Sequence, residues 1–137
     1  MTSAQELKFE IGSAGSVSAL LTRPNNARAC YVLAHGAGAG MRHASMEAIA
    51  AGLAGRGIAT LRYHFPYMEK GSKRPDPPPV AHAAVRAAVA EAAKCCAGLP
   101  LFAGGKSFGG RMTSQAQAKA PLDGVKGLAF FGFPLHP

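Results

Sequence analysis

The chain is short of acids, of cysteines and of long apolar runs, and each shortage narrows what it can be. Asp and Glu number 7 against 15 Lys and Arg in 137 residues, a formal charge of +8. A surface of this kind attracts anions in general. The basic residues are nevertheless scattered from Lys8 to Lys126, and no basic stripe interleaved with aromatics, as RNA binding requires, is present. Nucleic acid is therefore not an expected partner. Of the 3 cysteines, Cys95 and Cys96 are neighbours at a helix end and Cys30 lies in an apolar strand pattern. That spacing supports neither a disulfide framework nor a metal site, so buried free thiols are expected. No apolar run approaches the roughly 20 residues of a membrane span. The opening MTSAQELKFE is polar and acidic where a secretory leader would be basic and then apolar. A membrane is accordingly not an expected partner, and the expected compartment is the cytoplasm. With 48% apolar and 16% charged residues, disorder is excluded. The length suits one domain, residues 1–137, and no repeat or linker divides it.

What is there reads as alternating strands and helices. LKFEI (7–11) and SVSALLT (16–22) flank GSAG, which predicts an antiparallel hairpin. ACYVLAHG is a continuous apolar run ending in glycine, as expected of a parallel strand covered on both faces. After a Gly-rich stretch, Met46, Ile49, Ala50 and Leu53 fall at helical spacing, with Ser45 as the cap and Gly57 past the last turn. IATLRYHF is a second buried strand. Residues 66–79 form one long loop rich in proline and charge, and a helix follows over 80–96, its face built from Val80, Ala84, Val85, Ala88, Val89 and Ala92. LPLFAGG, a helix over 107–119 and VKGLAFFGFP complete an α/β pattern with a mainly parallel sheet.

Two glycine clusters carry the chemistry. Gly105-Lys106-Ser107 ends like a phosphate loop, but the first glycine of that motif falls on Pro100, which has no amide N–H to offer. HGAGAGMRH fails the dinucleotide fingerprint as well, with Met41 or His43 in its last position. No cofactor is expected. Gly105-Lys106-Ser107-Phe108-Gly109 does fit G-x-S-x-G, directly after a strand and directly before a helix. A strained turn there would lift Ser107 above the strand ends, where side chains at 105 and 109 would collide. The helix N-terminus would favour developing negative charge, with the Phe108 amide as one oxyanion donor. The second donor is expected from AHGAGAG, at Ala37, with Gly36 and Gly38 as alternatives. The competing reading makes Ser107 a plain helix cap.

On these residues the sequence resembles the α/β-hydrolase fold. It is similar in particular to small bacterial dienelactone-hydrolase-like proteins related to testis-expressed and chromatin-complex hydrolase-like proteins. The resemblance is carried by LAHGAGAGMRH (33–43), LRYHFPYMEKGSKRPDPPPV (61–80), GGKSFGGRM (104–112) and FFGFPLHP (130–137). It implies an eight-stranded sheet, Ser107 as nucleophile and an oxyanion loop at Gly36 to Gly38. It also implies that an acid should follow the next strand and a histidine the last, in a domain of about 200 residues or more. This chain reaches Pro137 without them, so the fold is expected to be cut after about strand 6.

Within the chain, His35 and His136 are the histidines expected nearest Ser107, as substitute bases or supporting groups. Asp123 precedes its strand, Asp76 lies in the proline-rich loop, and no complete triad can be assembled. His43, His64 and His82 lack metal-ligand spacing and are expected to be solvated or to stand behind the site. Arg42, Lys106 and Arg111 border the glycine loops, with Lys70, Lys73 and Arg74 on the long loop, as candidates for binding an anion. Two functions follow: a serine hydrolase acting on an ester, thioester or similar acyl bond of a small-molecule substrate, nearly inactive as this chain, or a non-catalytic hydrolase-like binding module. The strand over 125–133, apolar on both faces, is expected to recruit a second copy or a completing chain at its edge.

Overall fold

The computed structural model describes residues 2–132. Six strands form one sheet in the order β1-β2-β4-β3-β5-β6. β1 (Ala4–Glu10) and β2 (Ser16–Thr22) make the N-terminal hairpin, closed by a 3-10 turn at Gly12–Ala14. β2 runs antiparallel to β4 (Ile58–Tyr63), and β4 pairs in parallel with β3 (Ala29–Ala34). β5 (Leu101–Lys106) lies on the other side of β3, and β6 (Val125–Phe131) beyond it, both parallel. The sheet is therefore mixed, mostly parallel and antiparallel at its N-terminus, as the sequence indicates.

Strand alternation decides which helix covers which face. Tyr31 and Leu33 of β3 point to α1 (Ala44–Ala54), where they meet Met46, Ile49 and Leu53. Cys30, Val32 and Ala34 point the other way, into a larger core closed by α3 (Pro78–Cys95) and α4 (Phe108–Lys119). The inner face of α3 carries Ala81, Ala84, Val85, Ala88, Val89 and Ala92; Val80 is only half-buried, so the stripe begins one residue later than its periodicity suggests. Small residues there let the helix lie close to the sheet. Cys30 and Cys96 are buried free thiols, and Cys95 is half-buried.

Two local expectations are corrected. The cap of α1 is His43, whose Nδ1 accepts the Ser45 amide at 3.2 Å; the Ser45 side chain bonds back to the same ring. The segment 66–79 is not loop throughout, because α2 (Pro66–Glu69) opens it. Pro66 at the first helical position suits that start, since its missing N–H would have had no helical partner. The expected pairing of β3, β5 and β6 side by side holds, while Phe133 and His136 lie outside the described residues.

Candidate active site

The parallel strands β3, β4 and β5 end at the same rim, and the candidate residues are gathered there. β5 runs directly into α4 through Ser107, which has φ 52° and ψ −112°. No other described non-glycine residue has positive φ. An L-residue adopts this conformation only at a cost in free energy, so the surrounding packing must hold it. That packing is visible at the flanking glycines. A Cβ on Gly105 would lie 2.4 Å from the Ala34 carbonyl oxygen, and one on Gly109 would lie 2.5 Å from the His35 carbonyl oxygen and 2.6 Å from Ala34 Cβ. Both collisions are with the end of β3, which is what presses the turn into shape.

Ser107 is exposed, and its side chain makes no capping hydrogen bond. Its carbonyl accepts the Arg111 amide at 3.0 Å, closing the first turn of α4. The Phe108 N–H, first in the helix, has no intrahelical acceptor, and the partial positive charge of the helix start sits beside the serine. The glycine loop after β3 borders the same place. A Cβ on Gly36 would stand 3.7 Å from Ser107 Cβ, so the loop backbone passes directly against the turn. Ala37 and Gly38 are exposed there, and among the described residues the Ala37 amide donates to no backbone carbonyl outside helices and strands.

His35 is fully buried beneath this loop. The Phe65 amide donates to its Nε2 at 3.1 Å, which places the proton on Nδ1, and Nδ1–H donates to the Gly36 carbonyl at 2.8 Å. Burial lowers its pKa to about 4; the Gly36 bond works against that shift and His64 adds to it. His35 is thus a neutral imidazole with both nitrogens occupied. It holds the loop and has no lone pair to offer Ser107.

Each of the other described histidines has one ring nitrogen engaged. His64 Nδ1 lies 3.0 Å from Glu69 Oε1, and Glu69 also accepts the Ser18 amide at 2.9 Å and the Ser18 hydroxyl at 2.8 Å. Burial alone would raise the Glu69 pKa, but these donors outweigh it and hold the carboxyl below its usual range. His43 caps α1. His82 is buried and pairs with Gln115 Oε1 at 2.9 Å, tying α3 to α4 rather than facing solvent. Asp76 accepts the Tyr67 amide at 3.0 Å and braces α2.

Of the candidate anion-binding cations, Arg42 is exposed and paired with Glu6 at 3.3 Å. Lys106 is half-buried at the end of β5, and Arg111 is half-buried one turn into α4. The site thus joins Ser107, Phe108, Gly36 and Ala37, and among the described residues no histidine or acid is hydrogen-bonded to Ser107.

Sequence reading passes over two residues that shape this rim. Arg62 lies on β4 with its side chain 2% exposed, reaching the Met41 carbonyl at 3.1 Å and Glu47 at 3.2 Å. It anchors the far end of the glycine loop to α1. Tyr67, on α2, stands edge-on to Phe108 with ring centroids 6.0 Å apart, beside Phe65, which meets Phe108 at 5.3 Å. The signal for Arg62 is a charge inside an apolar strand, and for Tyr67 a Pro-Tyr-Met-Glu helix start within the loop.

A mixed, mainly parallel sheet with helices on both faces, and a serine at positive φ where a central strand turns into a helix, define the α/β-hydrolase architecture. Residues 27–137 match the alpha/beta hydrolase domain model, and the chain belongs to that family. Among solved structures it is similar to the dienelactone hydrolase of Anabaena variabilis, with a TM-score of 0.81 at 20% identity over 96% of this chain. A carboxyl esterase of Bacillus coagulans gives a TM-score of 0.77 at 18% identity, covering 95% of this chain and 44% of that one. An alpha-beta serine hydrolase homologue of Coxiella burnetii gives 0.76 at 18%, covering 95% and 63%. At these identities the likeness is one of fold. The chain spans 64% of the length of the Anabaena protein. No curated protein matches it.

Proposed function

We propose that this chain carries the nucleophile half of a serine hydrolase that cleaves an ester, thioester or similar acyl bond of a small molecule. The observation that carries this reading is the backbone of Ser107. It is held at φ 52° between glycines that admit no Cβ, with its hydroxyl exposed and not spent on capping. A helix cap needs neither the strain nor the exposure.

In this reading Ser107 Oγ attacks the acyl carbonyl carbon while its proton passes to a base. The carbonyl oxygen becomes an oxyanion facing the Phe108 and Ala37 amides, with Gly36 and Gly38 shaping the loop. Collapse expels the leaving alkoxide or thiolate, which takes the proton, and water then hydrolyses the acyl-serine. The base is a histidine that the described residues do not supply, since His35 is occupied on both sides. Without a base the rate falls by about 10⁶, leaving about 10³ to 10⁴ over water from the oxyanion site. With p-nitrophenyl acetate the 137-residue chain is thus expected to turn over only at that residual level, far below a complete triad, and Ser107→Ala should leave it nearly unchanged. Rapid turnover abolished by Ser107→Ala refutes the missing base and calls for one within the chain.

One observation favours a second reading. Among the described residues no histidine is hydrogen-bonded to Ser107, which also fits a hydrolase-like module that binds a partner or an anionic ligand without catalysis. Absence of fluorophosphonate labelling at Ser107 in the folded full-length protein selects it.

A further inference from the structure

Beside the elbow, α2 and the proline-rich segment after it enclose an open cleft of about 610 Å³, lined by Tyr67, Lys70, Ser72 and Arg74 and closed by Asp76 with its flanking prolines. Tyr67 joins this cleft to the candidate site, because its ring also stands edge-on to Phe108, the residue after Ser107, with centroids 6.0 Å apart. The charges of the cleft are not balanced from within. Among the described residues neither Lys70 nor Arg74 has a carboxylate within ion-pair distance. The acid that lines the cleft, Asp76, accepts the Tyr67 amide with Oδ2 at 3.0 Å, so that oxygen is spent on the start of α2 and on neither cation. Ser72 Oγ accepts the Arg74 amide at 3.2 Å, which leaves its O–H to donate.

We propose that this cleft is the subsite for a phosphate monoester on the small-molecule substrate, held by Lys70, Arg74 and the Ser72 hydroxyl while the acyl carbonyl lies at Ser107. A phosphate carries a charge of about −1.5 to −2 at neutral pH and presents three acceptor oxygens. It matches two cations and a hydroxyl, where a carboxylate would leave one cation unanswered. The cleft is larger than a phosphate needs and has the size of sites that enclose a small molecule, so it also takes the part of the substrate linking phosphate to acyl bond. Cations on a mobile loop lose binding free energy to their own ordering. Here the segment is braced. The Ser72 amide donates to the Tyr67 carbonyl at 2.9 Å and the Val80 amide to the Pro77 carbonyl at 3.0 Å, and prolines at 75, 77, 78 and 79 fix φ between them. Lys73, which the sequence groups with Lys70 and Arg74, does not line the cleft.

The inference rests on Ser107 as nucleophile and is tested so that the two can fail separately. Fluorophosphonates with alkyl chains of matched length ending in phosphate, carboxylate or hydroxyl are reacted with the chain, and the Ser107 adduct is followed as intact mass over time. The phosphate reagent should reach half-maximal rate at about tenfold lower concentration than the hydroxyl reagent, with the limiting rate unchanged. Lys70→Gln and Arg74→Gln, both at exposed positions, should each cut that advantage about threefold. Lys119→Gln, at the far end of α4 from Ser107, should leave it intact. A phosphate advantage below about twofold overturns the proposal. An equal gain for the carboxylate reagent overturns it too, as does an equal loss in Lys119→Gln, which would assign the effect to net charge. If no reagent labels Ser107, the nucleophile reading fails and amide spectra of the ¹⁵N-labelled chain decide the cleft. Inorganic phosphate at millimolar concentration should shift the amides of residues 67–76, and should not do so when Lys70→Gln and Arg74→Gln are combined. Amides in 67–76 that phosphate does not move overturn the subsite, whatever Ser107 does.

Discussion

Replacing Ser107 by glycine and by alanine separates the backbone from the hydroxyl. Both substitutions remove Oγ, which makes no capping bond, so neither loses a hydrogen bond within the helix start. Alanine keeps the Cβ and with it the strain at φ 52° and ψ −112°. A non-glycine residue held in such a region costs about 1–3 kcal/mol. Glycine relieves that strain but gives up about 0.5–1 kcal/mol to the larger freedom of the unfolded chain. Ser107→Gly is therefore expected to be more stable than Ser107→Ala by about 1 kcal/mol, while Ser107→Ala stays near the unsubstituted protein. For a chain of this size that gap is roughly 3–5 °C in Tm. Urea titrations read it as a shift in midpoint at unchanged slope. If Ser107→Gly unfolds at or below the midpoint of Ser107→Ala, the turn stores no strain and the reasoning fails.

Three further outcomes are expected. His35 titrates near 6.5 when unfolded and near 4 when buried, so the unfolded chain binds the extra proton between those values. Stability present above pH 6.5 is then lost as pH falls toward 4, on the order of 3 kcal/mol, and His35→Gln should flatten the slope seen by urea unfolding; an unsloped curve in the unsubstituted chain contradicts the buried neutral ring. Gly109→Ala, whose Cβ would meet the His35 carbonyl oxygen at 2.5 Å, should destabilise by about 1–3 kcal/mol, whereas Gly52→Ala on α1, with nothing within 4 Å, should stabilise by about 0.5–1 kcal/mol. Calorimetry that ranks the two in the other order refutes the packing argument. Light scattering at high concentration is expected to show association through the outer edge of β6, where Phe131 is 37% exposed; a strictly monomeric chain counts against it.

The parts of this molecule that were legible in the sequence are those where one physical demand decides the residue. Gly105 and Gly109 could be read because a turn of that shape leaves no room for Cβ, although the atoms they avoid belong to β3 and not to the turn itself. The hairpin and the parallel strands could be read because strand burial on one or both faces writes itself as alternation or as an unbroken apolar run. Cross-chain partnerships were not legible. Arg62 meets Met41 and Glu47 only after the sheet has formed, and nothing local marks that meeting. His43 displaced Ser45 as the cap because an imidazole nitrogen can accept the same amide that the sequence assigns to the serine's neighbourhood. Tyr67 was hidden by the prolines around it, which suggest loop, whereas Pro66 in fact starts the helix that sets Tyr67 edge-on to His35 and Phe108.

The central claim is that Ser107 is a nucleophile, and site-resolved covalent labelling tests it most directly. The folded chain is incubated with a fluorophosphonate, digested, and the adduct located by mass spectrometry. A nucleophilic Ser107 predicts one adduct, on that residue, formed slowly and absent from Ser107→Ala. A folded chain that carries no adduct, or carries it equally on other serines such as Ser45 or Ser114, contradicts the claim.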